Sequence, residues 1–475
     1  MIGQPRSLKR AWELFRDPAT AEKRALLAER WEGLDPALRL PGQGLGQKAT
    51  GCGATIGIQP RCDFACTGCY LGREANRIPA LPTAAVLRQL DELRRWLGPK
   101  SNVQITDGEV TLRPVEELTE ILSYARSIGI VPMVMTHGDN FRRRPGLLER
   151  LMTEGSLTEV SIHVDITQRG RDGHKAPKSE LELMGLRDEF AAMIREARRR
   201  TGRPLRAAMT LTVTQDNLTQ IADVVRWLVR NRDAFSLVSF QPLAQVGRTR
   251  KSQRGVTATD LWAEVGRATA DYGLPLEGAG PMHFGHTECT RFVPLVALER
   301  PGEEPRLFRG IRDEPEDVAV MREFFELGLG GVAFRDDDPL EKTARFLGMV
   351  RTAPGWMLGR ARRWIGARSL AEAGMPLSRL LADGLRGRLR IDSLTLTSHH
   401  FMSPQELNTP VGQDRLAACV FRLPHKGKMV PMCQMNADGV RETFYAEIVD
   451  GGAEVAHGLT RTSKDPHGHQ GPVSV

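Results

Sequence analysis

Residues 54–69 read ATIGIQPRCDFACTGC, and this segment gives the first indication of the fold. The run ATIGIQ at 54–59 is apolar and β-prone, and Cys62, Cys66 and Cys69 follow it directly. Three thiols within eight positions are too crowded for a disulfide framework but suit thiolate ligation of a metal in a reducing compartment. The stretch therefore predicts a strand that ends in a metal-binding loop.

Similar β-prone runs recur over almost two hundred residues. Five more β-prone runs follow, with amphipathic helical patterns between them: NVQIT (102–106), VPMVMTH (131–137), EVSIHVD (159–165), LRAAMTLTV (205–213) and FSLVSFQPL (235–243). Alternating strands and helices indicate an α/β fold with a parallel sheet. Six such units predict a partial (β/α)6 TIM-like barrel whose active site lies at the carboxyl ends of the strands.

The rest of the chain predicts pieces added to this barrel. We expect a helical N-terminal cap at 1–48, the core barrel at 49–250, and a helical, arginine-rich region facing the substrate or a membrane at 251–390. A small β-rich module that holds an auxiliary metal site is expected at 391–450, with a hairpin turning at His425, and a flexible tail at 451–475.

The cysteine loop favours an iron–sulfur cluster. Three thiolates can ligate three irons of a cubane and leave the fourth iron open to a small chelating molecule. The alternative, a zinc site, needs a fourth Cys or His at comparable spacing, and nothing between Tyr70 and His137 supplies one.

The spacing CxxxCxxC after the first strand of a βα barrel resembles the radical S-adenosylmethionine (SAM) superfamily, over about residues 50–245. The resemblance implies an enzyme whose [4Fe–4S] cluster, held by Cys62, Cys66 and Cys69, binds SAM and cleaves it to a 5′-deoxyadenosyl radical. It also implies an external reductant such as flavodoxin or ferredoxin. One departure is Gly68, where the family usually has an aromatic residue; Phe64 and Tyr70 flank the loop and can pack against the cluster instead.

Polar residues at the strand ends predict the SAM-binding surface. Asp107-Gly108-Glu109 resembles the family's glycine-rich loop that receives the amino group of SAM, since glycine permits close approach and a carboxylate pairs with an ammonium. The other candidates share a position on the polar face or at the end of a later strand: Thr136, His137, Asn140, Ser161, His163, Asp165, Thr212 and Gln241.

Four cysteines remain outside the loop: Cys52, Cys289, Cys419 and Cys433. Each alone is a common small buried residue. Together they are the number that a second metal site requires, so we expect an auxiliary site, most simply a second iron–sulfur cluster.

The C-terminal segment resembles one radical SAM subgroup, which contains the methylases of methanopterin biosynthesis and the archaeal tetraether lipid synthases. The resemblance rests on a Phe-Met pair, a cysteine, a short turn and Pro-x-Cys before Asn, which are here Phe401, Met402, Cys419, Pro431, Cys433 and Asn436. Two departures are the missing cysteine-rich N-terminal segment and the single cysteine around position 289. They imply fewer metal sites than in those relatives.

Composition limits the partners. The formal charge is +8, so we expect anionic binding partners. The polar start MIGQPRSLKR lacks a signal peptide's apolar core, so we expect a cytoplasmic protein. Residues 355–390 mix tryptophan and leucine with many arginines, which is typical of a helix pair on an anionic membrane or of a solvated helix on its own barrel. An aromatic and basic stripe typical of RNA readers is missing, so nucleic acid is not expected.

These observations leave three functions. The first is radical C–H functionalisation, forming a C–C bond or transferring an alkyl group, on a lipid-like substrate. The second is a radical methylase or maturase acting on a pterin, peptide or nucleic acid. The third is a non-catalytic iron–sulfur scaffold.

Overall fold

The computed structural model describes residues 8–49, 54–249, 251–278, 280–335, 337–437 and 440–461. Eleven strands are found there: β1 (Thr55–Gly57), β2 (Asn102–Thr106), β3 (Val131–Thr136), β4 (Glu159–His163), β5 (Arg206–Val213), β6 (Phe235–Pro242), β7 (Thr290–Glu299), β8 (Arg306–Arg309), β9 (Arg390–His399), β10 (Arg422–His425) and β11 (Lys428–Pro431).

Helices precede, separate and follow the strands. The α-helices are α1 (Leu8–Arg16), α2 (Ala21–Glu32), α3 (Thr83–Leu97), α4 (Val115–Ser127), α5 (Asp139–Arg143), α6 (Leu147–Thr153), α7 (Met184–Thr201), α8 (Ile221–Arg230), α9 (Ala258–Ala270), α10 (Pro315–Glu326), α11 (Pro339–Thr352), α12 (Arg362–Ala373), α13 (Leu377–Leu385), α14 (Pro404–Leu407), α15 (Pro410–Ala417), α16 (Met432–Met435) and α17 (Val440–Arg461). Short 3-10 helices lie at Pro36–Leu38, Arg73–Arg77, Val110–Leu112, Leu181–Leu183, Leu218–Gln220 and Leu329–Gly331, and a π-helix at Trp356–Ala361.

Nine strands form one sheet in the order β1-β2-β3-β4-β5-β6-β9-β7-β8. Strands β1 to β6 are parallel, and β9 continues the parallel set beside β6. Strand β7 pairs antiparallel with β9, with Thr290 opposite His399, and β8 pairs antiparallel with β7. The carboxyl ends of seven strands therefore meet at one edge of the sheet, and the start of β7 joins them there.

The core lies between the sheet and its helices. Ile56, Ile105, Val134 and Ile162 are fully buried, each on a different parallel strand. The helices that follow the strands turn one apolar face to them, as α8 does with seven buried side chains. Burying each large aliphatic side chain contributes about 1.5–3 kcal/mol, so this layer fixes where the strand ends lie.

The predicted α/β fold, with a mostly parallel sheet and a helical N-terminal region, is confirmed. Six of the strands lie where the sequence predicts them, and the hairpin β10–β11 turns after His425.

Two regions differ from the expected secondary structure. The predominantly helical prediction for 251–390 missed β7 and β8, and β9 belongs to the main sheet rather than to a separate β-rich module. The cause is non-local pairing, because β7 finds its partner about a hundred residues later in the chain. Helix α17 also runs to Arg461, into the segment predicted as a tail. The domain boundaries themselves stay a prediction.

No helix within the described ranges is both long and apolar enough to cross a bilayer.

Candidate active site

A cavity opens at the carboxyl edge of the sheet, where the loop after β1 crosses the strand ends. Cys62, Cys66 and Cys69 line this cavity, as the sequence predicts for a loop that follows the first strand. The loop is fixed by backbone hydrogen bonds from Ala65 to Arg169 and from Thr67 to Thr167, both at 2.9 Å, in the segment after β4. The cysteines are thus held at one side of the cavity.

The chemistry of these thiols fits a metal cluster. Burial raises the pKa of Cys66 to about 12, and it also raises the pKa values of Cys62 and Cys69. Without a metal the thiolate form is therefore disfavoured, whereas bound iron stabilises it and displaces the proton. The backbone N–H of Phe64 donates to Cys62 Sγ at 3.3 Å, as N–H groups do to cluster sulfurs.

Aromatic packing supports the loop in a way that the sequence only partly showed. The ring of Phe64 stacks on His137 with centroids 3.8 Å apart, and His137 Nε2 lies 2.8 Å from Asp63 Oδ1. A Cβ at Gly68 would lie 2.7 Å from Leu243 Cδ1, so a side chain there would compete with the cavity wall. Gly68, the departure from the family pattern, thus keeps the cavity open.

The loop after β2 approaches the cysteine loop closely. Gly108 has φ +52°, and a Cβ there would lie 2.2 Å from Gln59 O, so only glycine fits. Gly108 lines the cavity.

Its two acidic neighbours are bound inside the protein. The carboxylate of Glu109 accepts hydrogen bonds from Thr136 Oγ1 at 2.6 Å and from His137 N at 2.9 Å, and also from Thr111. Asp107 is paired with Arg441 at 2.9 Å and bonded to Tyr70. Neither carboxylate lies on the cavity wall in this structure.

The remaining predicted SAM-binding residues divide into two groups. Those on the cavity wall are Thr136, His137, Ser161, His163, Thr212 and Gln241. The other two lie one layer below it: Asn140 donates to Thr111 Oγ1 at 2.8 Å, and Asp165 bonds His163 and accepts from Thr212 N at 2.7 Å. These hydrogen bonds from His163 and Thr212 lower the pKa of Asp165 against the opposing effect of burial.

Other cavity residues were missed from the sequence. Arg248 follows β6 and donates to the carbonyls of Gly72 and Phe64. His399, Phe401, Phe421, Met432 and Asn436 come from the C-terminal third of the chain and also line the cavity. The signal for Arg248 was a basic residue soon after the sixth predicted strand. The C-terminal motif pointed to Phe401 and Asn436, but not to this cavity, because their position depends on β9 joining the sheet.

Three of the four remaining cysteines come together. Cys289, Cys419 and Cys433 line a second, small pocket, and Cys52 lies outside the described residues. The wall between this pocket and the main cavity is shared: His399, Phe401, Phe421 and Met432 line both. The predicted role of these cysteines as ligands of one auxiliary site stays a prediction.

The donor set of the second pocket also fits a cluster. Burial raises the pKa of Cys419 to about 11 and of Cys433 to about 12, and it raises that of Cys289. Among the described residues, the group of three ligand atoms within 4.8 Å of one another is Cys62, Asp63 and His137. The three sulfurs of the second pocket therefore do not all lie within 4.8 Å of one another.

Comparison with known proteins identifies the barrel. Residues 56–228 match the family model of the radical SAM superfamily, so the chain contains a radical SAM domain. The predicted radical SAM enzyme, with a [4Fe–4S] cluster and SAM as cofactors, is thereby confirmed at the level of this domain. No curated protein matches the chain.

Several solved structures share parts of the fold. One is native anSMEcpe with bound AdoMet and Cp18Cys peptide, at 12% identity over 46% of this chain and 58% of that chain, with a TM-score of 0.33. Another is Streptococcus suis SuiB bound to S-adenosylmethionine, at 16% identity over 48% of each chain, with a TM-score of 0.35. The FeFe-hydrogenase maturase HydG from Carboxydothermus hydrogenoformans is similar at 13% identity, over 76% and 90% of the two chains, with a TM-score of 0.33. The match spans less than two thirds of anSMEcpe and of SuiB, so activity, substrate and partners of the whole chain have to be inferred from its own residues.

Proposed function

We propose that this chain uses SAM to generate a 5′-deoxyadenosyl radical that abstracts hydrogen from an unactivated C–H bond of a lipid-like substrate. The product would carry a new C–C bond or an added alkyl group. The observation that carries the proposal is the three-cysteine loop on the wall of a cavity inside a radical SAM domain. When bound there, the reduced cluster supplies the electron that cleaves SAM.

The chain's own residues would bind and orient SAM. Gly108 lets the backbone approach the ligand, while Ser161, His163 and Thr212 offer hydrogen-bonding groups on neighbouring strands. Arg248 is the cation on the cavity wall, and it suits the carboxylate of SAM. Glu109 accepts hydrogen bonds from Thr136 and His137 on the cavity wall, and its contact with the amino group of SAM stays part of the proposal.

An apolar part of the cavity wall favours an apolar substrate. Leu243, Val246, Phe401, Phe421 and Met432 give it a largely hydrocarbon surface. Such a surface excludes water from a reactive radical and suits an acyl chain better than a polar pterin or peptide.

The surface of α12 and α13 supports contact with a membrane. No residue of α13 is buried, and its Leu381 and Leu385 are 53% and 91% exposed. Arg386 and Arg388 follow directly and are exposed as well. Apolar side chains flanked by cations suit an anionic lipid surface, so we propose a cytoplasmic protein that binds membranes peripherally.

An auxiliary iron–sulfur cluster held by Cys289, Cys419 and Cys433 is the second part of the proposal. Cys52 is the fourth ligand that the sequence offers. Because the two pockets share a wall, a cluster held there would lie next to the main cavity. The C-terminal motif resembles that of the tetraether lipid synthases, which supports both the lipid substrate and the second cluster. The motif also resembles that of the methylases of methanopterin biosynthesis, so methylation of a pterin is the alternative.

Isotope transfer tests the substrate class. We would incubate the reconstituted enzyme, SAM and a reductant such as flavodoxin with phospholipid vesicles whose acyl chains are perdeuterated, and measure the mass of the released 5′-deoxyadenosine. Abstraction from an acyl chain adds one deuterium, while vesicles deuterated only in the headgroup serve as the matched control. Release without deuterium from either lipid would contradict the lipid substrate and leave the pterin or peptide alternative, and no release would favour an iron–sulfur scaffold.

A further inference from the structure

Arg415, in α15, contacts the second cysteine pocket. Its Nε donates to Cys289 Sγ at 3.3 Å, and its Nη2 donates to the carbonyl of His400 at 2.6 Å. Nη1 lies 3.5 Å from Glu406 Oε1. Three separate contacts and burial of the residue hold the guanidinium in one orientation, with one edge towards the sulfur.

We propose that Arg415 is a positioning residue for the auxiliary cluster and raises its reduction potential. The inference rests on the proposed cluster at Cys289, Cys419 and Cys433. Reduction adds one negative charge to a cluster that is already anionic, so a buried cation stabilises the reduced form more than the oxidised form. The N–H to sulfur hydrogen bond acts in the same direction, because it withdraws charge from the ligand.

Other charged groups near the pocket do not cancel this effect. Glu288, beside Cys289 in the chain, acts in the opposite direction but is exposed, so water and salt screen its charge. Glu406 is also about half exposed, and its contact with Arg415 is long. The electrostatic influence of Arg415 extends to Cys433 as well, so it acts on two of the three ligands.

The position also fits a role in the reaction. Cys289 precedes β7, and the backbone N–H of His400 donates to its carbonyl at 2.8 Å, just after β9. His399 and Phe401, on either side of His400, line both the pocket and the main cavity. Cys289, Cys419 and Cys433 would hold a cluster beside this cavity, where it would take up the electron released when a substrate radical loses a proton.

The test measures the potential directly. In a variant with Cys62, Cys66 and Cys69 replaced by Ala, only the auxiliary cluster remains, and reconstitution should give about four irons per chain. Its midpoint potential is then followed by electron paramagnetic resonance during a dithionite titration. The comparison is between Arg415→Gln, which removes the charge, Arg415→Lys, which keeps it, and Arg199→Gln on the exposed face of α7 as the control.

We expect Arg415→Gln to shift the midpoint to more negative values, Arg415→Lys to shift it less, and Arg199→Gln to leave it unchanged. Retained iron with an unchanged midpoint in Arg415→Gln would overturn the role of Arg415 but leave the cluster in place. Loss of iron from both Arg415 variants would also overturn it, because the residue would then only hold the site folded. If the variant without Cys62, Cys66 and Cys69 binds no iron, and the unsubstituted protein binds about four irons rather than about eight, the auxiliary cluster itself would be overturned.

Discussion

Replacing Arg441 by Met should destabilise the protein strongly, because it leaves a carboxylate buried without its cation. Arg441 in α17 lies 2.9 Å from Asp107 Oδ2, and the two side chains are 2% and 0% exposed. Removing one partner of a buried ion pair costs about 3–5 kcal/mol. That cost corresponds to about two to three and a half orders of magnitude in the folding equilibrium.

The contacts around the pair explain why this magnitude applies. Arg441 also donates to Asn436 Oδ1 at 2.6 Å and to Tyr445 Oη at 3.0 Å, and its guanidinium lies 5.1 Å from the ring centroid of Tyr70. Asp107 has φ +71°, a left-handed conformation that Asp and Asn adopt more readily than other non-glycine residues. The pair therefore ties α17 to the loop after β2, next to the cluster loop.

The assay is anaerobic urea unfolding of the apo-protein, compared with two further variants. Arg195→Met removes an exposed pair with Asp233, whose side chains are 41% and 35% exposed, and should cost at most about 1 kcal/mol. Adding Asp107→Asn to Arg441→Met should recover part of the loss, because Asn tolerates the left-handed backbone and leaves no stranded charge. A loss in Arg441→Met no larger than that in Arg195→Met would refute this reasoning.

Three other predictions concern separate parts of the molecule. Cys289→Ala should remove about four irons per chain by chemical iron analysis but leave 5′-deoxyadenosine release in place; loss of release as well would mean that this pocket belongs to the first cluster. Leu381→Asp combined with Leu385→Asp should reduce co-sedimentation with anionic vesicles at least about tenfold without changing SAM cleavage, whereas unchanged binding would dismiss α13 as the membrane surface. Burial, assisted by the charge of His400, lowers the pKa of His399 from 6.5 to about 3, so the unfolded chain takes up a proton there first as the pH falls. Stability should therefore decline below about pH 6.5, and His399→Gln should flatten that decline by about 1.4 kcal/mol per pH unit in unfolding titrations; an unaltered slope would show that His399 is protonated when folded.

Local sequence patterns sufficed for the first half of the fold. Each of the first six strands is a short apolar run followed by an amphipathic helix. The hydrophobic period of each element, and the order of strand and helix, are therefore visible within about forty residues of sequence. Buried and partly exposed side chains also alternate along β7, where Val293, Leu295 and Ala297 are buried. Pro294 and the flanking charged residues interrupt this pattern in the sequence. Its pairing with β9 across about a hundred residues has no local signature.

In the candidate active site, too, the features that could be predicted are those carried by one short segment of sequence. The spacing of Cys62, Cys66 and Cys69 identifies the cluster loop because one short segment supplies all three ligands. The ion pair of Asp107 with Arg441 was not visible, because the two residues are 334 positions apart in the chain. The hydrogen bonds that Glu109 accepts from Thr136 and His137 were not visible either, and the SAM contacts of both carboxylates stay a prediction.

Anaerobic reconstitution with iron and sulfide, followed by dithionite-driven SAM cleavage, tests the radical SAM activity most directly. The unsubstituted protein should bind about eight irons per chain and release 5′-deoxyadenosine, while Cys66→Ala should abolish release and remain folded. Full iron loading without any release of 5′-deoxyadenosine, or equal release from Cys66→Ala, would contradict the proposed function.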